Sequence, residues 1–147
     1  MKVYPPNTTL IANIQCGELK IKSDLAKLVV EQNKGYIWFG GMMDSYYADE
    51  LVVMDNQNYL NIASEIPHID VQKLSGGSFI YKGFRNEYFD VKEISQGAVL
   101  DVKTQVENFW IGKNCGKSVK VSKGSVEENW EYMDATCTSE VNYETVY

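Results

Sequence analysis

Residues 79–121 read FIYKGFRNEYFDVKEISQGAVLDVKTQVENFWIGKNCGKSVKV. Short apolar runs alternate with polar residues here, and Gly83, Gly97, Gly112 and Gly116 punctuate them. In Tyr88–Ile94, Phe89 and Val91 share one parity, while Tyr88, Asp90 and Lys92 share the other. Side chains alternate faces along a strand, so this is the pattern of a half-buried one. Ser78–Tyr81 is β-branched and aromatic, as strands prefer, and follows the turn material Gly76-Gly77. Val99, Leu100, Val102 and Val106 mark a further strand, with Asp101, Lys103 and Gln105 facing out. Phe109-Trp110-Ile111 is wholly apolar, and Val119 and Val121 alternate with Ser118, Lys120 and Ser122. No three-four spacing of apolar residues is sustained from 97 to 122. Short strands at this density, separated by glycine turns, predict a β-rich α+β fold: an antiparallel sandwich, roll or small barrel.

Working outward, Leu10–Ile14 and Leu19–Lys22 read as strands after a Pro5-Pro6 entry. Ser23 has the chemistry of a helix N-cap, because its hydroxyl can accept an unpaired amide hydrogen. Leu25, Leu28 and Val29 then fall on one helical face, and Gly35 sits where a left-handed cap belongs. This predicts a short helix over 24–33. Tyr36–Phe39 and Leu51–Met54 read as buried strands. Tyr59–Ile62 reads as the return of a hairpin in preference to a short helix ending before Pro67. Ser125 and Glu128 make a capping box, and Val126, Trp130 and Met133 keep helical spacing, which predicts a second helix over 126–134. The tail from Val141 to Tyr147 has strand composition and needs a partner strand. No repeat or linker is evident in this reading, so residues 1–147 are expected to form a single globular domain.

Composition limits the function classes. A formal net charge of −6 argues against general nucleic-acid binding, which leaves a basic footprint. No stretch approaches the roughly 20 apolar residues of a membrane span, and no apolar run follows Met1–Pro6. Cys16, Cys115 and Cys137 are odd in number and far apart, which argues against a disulfide framework and predicts a cytoplasmic setting. Lysine almost replaces arginine, with Arg85 the exception, as in an AT-rich genome of a Gram-positive bacterium or its phages.

The candidate chemistry is sparse. Gly112–Ser118 approaches a phosphate-binding loop but is one residue short of it and runs into a strand, where such loops open a helix. A hairpin connection is the plainer reading. His68 and Asp70 suggest a metal ligand or an acid–base pair, yet a zinc site needs four ligands and no second histidine exists. Cys115, between Lys113 and Lys117, has the setting of an activated thiol only if a base folds beside it, and is otherwise a small hydrophobe. Lys113, Lys117, Lys120 and Lys123 precede Glu127, Glu128, Glu131, Asp134, Glu140 and Glu144. That order suits self-complementary contacts between subunits, a site for a phosphorylated molecule, or a plain solvated surface. Arg85 and Tyr88, with Trp110, offer bidentate and stacking contacts to such a ligand, although aromatics at this density more often belong to a core.

The leading expectation is therefore a non-enzymatic binding or assembly protein without a cofactor. It would act through protein–protein contacts or homo-oligomerisation, and a phage-type accessory or virion component would suit it. The alternative is a protein that captures a nucleotide-like or phosphorylated small molecule, with Arg85, Tyr88, Trp110, Lys113 and Lys117 as its ligand-binding residues.

Overall fold

The computed structural model describes residues 4–41, 43–123, 129–132 and 141–145. Among these residues there is no helix. The chain forms β1 (Thr9–Ile14), β2 (Glu18–Ile21), β3 (Leu25–Asn33), β4 (Tyr36–Phe39), β5 (Ala48–Val53), β6 (Tyr59–Ile62) and β7 (His68–Val71). It continues with β8 (Ser78–Tyr81), β9 (Asn86–Ile94), β10 (Val99–Val102), β11 (Val106–Asn114), β12 (Ser118–Lys123), β13 (Asn129–Tyr132) and β14 (Val141–Thr145). Odd-numbered strands build one seven-stranded sheet and even-numbered strands the other, each in sequence order. Every ladder is parallel. The fold is a two-sided parallel β-solenoid: each rung contributes one strand to each sheet, and the rungs stack.

This overturns the expected antiparallel sandwich, roll or barrel. Alternation fixes which side chains point inward, but it is silent on the direction and identity of the neighbouring strand. The short glycine-containing connections read as hairpins are corners, where the chain leaves one sheet for the other. Thus β6 pairs in parallel with β4 and β8 and is no hairpin arm. The tail strand β14 does find a partner, in β12.

The core explains the register. Leu28, Leu51, Ile69, Phe89 and Phe109 stack in one column of the odd sheet. Ile37, Leu60, Phe79, Leu100 and Val119 stack in the even sheet. All ten are buried. The Phe79 and Phe89 rings lie 5.8 Å apart, as do those of Phe89 and Phe109, bridging the sheets and then adjacent rungs. Separations of 4.5–7 Å with tilted planes are those that aromatic pairs favour.

The same core explains why no helix occupies 24–33. Inward residues recur as Leu25, Leu28, Val30 and Asn33; Ala48, Leu51, Val53 and Asn56; and Ile66, Ile69, Val71 and Leu74. The pattern recurs as Asn86, Phe89, Val91 and Ile94, and as Val106, Phe109, Ile111 and Asn114. The leading three-residue step spans a local break in the ladder, where Ala26 and Glu107 have no register partner. It imitates helical spacing, so Leu25 and Leu28 share a side without a helix. Val29, assigned to that helical face, points outward and is half-buried. Ser23 caps nothing; its Oγ accepts a hydrogen bond from the Tyr4 amide. Gly35 keeps a negative φ and is needed for another reason: an added Cβ would collide with the Gly17 carbonyl of the neighbouring corner. Of the second expected helix, 129–132 is the strand β13, paired with β11. Residues 126–128 and 133–134 lie outside the described residues.

At the corners backbone groups leave the ladders and need other partners. Buried asparagines supply them. Asn33 Nδ2 donates to Asn56 Oδ1 at 2.8 Å and to the Tyr59 carbonyl at 2.9 Å, while its Oδ1 accepts from the Gly35 amide. Asn56 Nδ2 donates to the Asn58 carbonyl at 3.0 Å. Asn114 repeats the acceptor half of this arrangement with the Gly116 amide.

Candidate functional site

A parallel solenoid leaves its outward parity on display, and here the two outer faces differ. On the odd sheet the outward columns run Lys27, Glu50, His68, Tyr88, Asn108 and Val29, Val52, Asp70, Asp90, Trp110. The charged residues of its strands β3 to β11 are Glu31, Asp49, Glu50, Asp70, Glu87, Asp90, Glu93 and Glu107 against Lys27, Lys92 and Lys113. Among the described side chains, the even sheet's strands β2 to β12 carry Glu18 and Asp101 against Lys20 and Lys120. Lys22, Lys82 and Lys103 extend its outward parity one step beyond β2, β8 and β10, and all three are exposed. Among the described residues one broad face is therefore acidic and the other basic.

The centre of the acidic face is built from two neighbouring rungs. Asp70 and Asp90 are register partners on β7 and β9. Like charges directly opposite each other destabilise a sheet. Loss of water raises the Asp90 carboxyl above its ordinary pKa; Asp70 raises it further and His68 partly opposes both. Gln72 Nε2 donates to Asp70 Oδ1 at 3.0 Å. His68 stacks on Tyr88 with ring centroids 4.7 Å apart. Tyr88 remains 44 % exposed, and Ile11, at the apolar end of the same face, 58 %.

The basic face has an aromatic group. Tyr59 packs against Tyr36 and Trp38, with centroids 5.9 and 5.1 Å away, and its Oη accepts from Asn61 Nδ2. A shallow cavity of about 260 Å³ beside it is lined by Lys20, Lys22, Trp38, Gly40 and Gly41, among others.

The structure separates the residues expected to hold a phosphorylated ligand. Tyr88 and Trp110 stand on the acidic face, on adjacent strands β9 and β11. Arg85 precedes β9, and its Nη2 lies 3.6 Å from Glu107 Oε1. Lys113 is at the far end of β11, with its Nζ 3.8 Å from Glu93 Oε1. Lys117 is exposed at the corner between β11 and β12, its amide bonded to the Ala98 carbonyl. Gly112–Ser118 thus passes from the end of one strand to the start of another and opens no helix. The hairpin read there is a corner between sheets.

Cys115 is engaged in a disulfide, so it carries no thiol nucleophile, and the argument from unpaired cysteines to a reducing compartment loses its ground. The free cysteine among the described residues is Cys16, which is exposed. His68 and Asp70 share the outward side of β7, but among the described residues no group of three or more potential ligands could hold a metal ion. Of the acids expected to balance the lysine run, Glu127, Glu128, Asp134 and Glu140 lie outside the described residues.

Two features escaped the sequence reading. One is the repeat of roughly twenty residues that generates the rungs, a length typical of solenoid repeats. The other is that charge sorts between odd- and even-numbered strands among the described residues, with no relation to its order along any one segment. Aligning the five inward quartets would have exposed both. No family model, no curated protein and no solved structure matches this chain.

Proposed function

We propose that this is a non-enzymatic binding protein that works through contacts with other proteins, and that the outer face of the odd sheet is its main contact surface. The observation that carries this reading is the parity-sorted charge. A stack of rungs holds carboxylates, Tyr88 and Trp110 on one flat face and gives them fixed spacing. Solenoids characteristically use such extended surfaces for recognition. An acidic face with half-exposed aromatics fits a basic partner, since aromatics and arginine anchor many interfaces and complementary charge steers encounter.

The test is fluorescence anisotropy with a labelled Lys/Arg-rich peptide at low ionic strength. Binding is expected, and Asp70→Asn with Asp90→Asn should weaken it about three- to tenfold, the effect of losing two exposed charge contacts. Absence of binding, or an unchanged affinity in the double variant, would refute this reading. The phosphorylated-ligand alternative draws less support, because Arg85 and Lys113 each sit beside a glutamate and stand at opposite ends of the face.

A further inference from the structure

We propose that the basic partner of the acidic face is the opposite face of a second copy of this chain, so that copies stack sheet against sheet. The inference rests on the reading that the odd sheet is a contact surface, and it adds the occupant.

Three observations carry it. The first is charge complementarity within one molecule. Asp70, Asp90 and Glu87 on the acidic face have no ion pair among the described residues, and neither have Lys22, Lys82 and Lys120 on the basic face. The second is pitch. Both sheets belong to the same rungs, so charges on different strands of either face fall at multiples of one spacing of about 4.8 Å. A neighbour laid parallel can match several charges at once, which an unrelated basic protein would do only by coincidence. The third is that each face has an apolar anchor among its charges: Tyr88 is 44 % exposed on one and Tyr36 48 % on the other.

Geometry then sets the strength and form of the assembly. Seven strands spaced about 4.8 Å apart, each a few residues long, present on the order of 600 Å² per face. Two such faces bury roughly 1,200 Å², the lower end of specific interfaces. Association should be weak and dependent on concentration and salt. Because two different faces meet, the contact is heterologous and leaves a free face at each end, so stacks extend without closing.

The experiment is sedimentation velocity on the whole chain. Wild type should sediment faster as concentration rises at low salt and return to monomer near about 1 M salt, where charges are screened beyond about 3 Å. Asp70→Lys with Asp90→Lys removes most of the acidic excess of one face, and Lys22→Glu with Lys82→Glu removes the basic excess of the other. Each double variant alone should be monomeric, and an equimolar mixture of the two should associate again. Circular dichroism on each variant verifies that it folds. A monomeric wild type at low salt, a variant that assembles alone, or a mixture that stays monomeric would each overturn the stacking. In any of these cases the basic-peptide measurement still stands or falls independently.

Discussion

At the scale of single residues, the buried polar groups are the most exacting part of the structure. Tyr81 is fully buried between the sheets, and its Oη accepts a hydrogen bond from the Ile66 amide at 3.1 Å. Burial holds the phenol well above its ordinary pKa, so it stays protonated and can serve as donor too. Tyr81→Phe keeps the ring but strands that amide. It should cost about 1–3 kcal/mol in urea denaturation, and a loss below a few tenths would contradict the role. Asp90 works in the opposite sense. Its pKa in the fold is raised, so the folded state binds a proton more readily than the unfolded chain. The carboxyl therefore weakens the fold once ionised, and its contribution improves as pH falls through the folded pKa toward the unfolded one. Asp90→Asn should raise the melting temperature at neutral pH and leave it little changed under acid conditions. A lower melting temperature at neutral pH would show that Asp90 supports the sheet.

At the scale of elements, every strand must fill one rung and meet its neighbours above and below. Phe89 contacts rings in both sheets, with Tyr81 edge-on at 5.9 Å as well as Phe79 and Phe109. Phe89→Ala should cost about 3–5 kcal/mol, a large share of the 5–15 kcal/mol available to an ordinary domain. The outward Trp110→Ala should cost much less. Equal losses measured by chemical denaturation would mean that the inward and outward parities are misassigned. The corners carry a separate demand. Gly77 has a φ of +62°, and a Cβ there would run into the Asn58 backbone, so Gly77→Ala is disfavoured by conformation and by contact. The individual strands were legible because alternation shows directly in residues such as Phe89, Val91 and Ile94. The helix over 24–33 was misread because the step from Leu25 to Leu28 copies helical spacing. The direction of pairing was not legible at all, because a corner and a hairpin turn both use glycine and polar residues. The repeat was legible only after alignment, since connections such as 40–47 and 63–67 differ in length and blur its period. Of the candidate site, Tyr88 and Trp110 are singled out in the sequence as contacts to a phosphorylated ligand, and the structure places them on adjacent strands of the acidic face. Their common acidic surroundings depend on register between residues about twenty apart, which no local window reports.

At the scale of the whole molecule, the solenoid turns a local rule into a long-range one. Each rung touches mainly its neighbours, so stability accumulates by nearest-neighbour terms and charge placed at one parity becomes a continuous face. The net charge of −6 conceals this, since among the described residues carboxylates outnumber lysines on one face and lysines outnumber carboxylates on the other. Interaction through the faces, with a basic peptide or with a second copy, presupposes the parallel stacking of rungs. Nuclear Overhauser contacts across the strands test that stacking most directly. The account predicts contacts joining Leu51 to Ile69, Ile69 to Phe89 and Phe89 to Phe109, the in-register order of the odd sheet. Strong Hα–Hα contacts between strands consecutive in sequence, such as β9 and β10, would reveal antiparallel hairpins and contradict it.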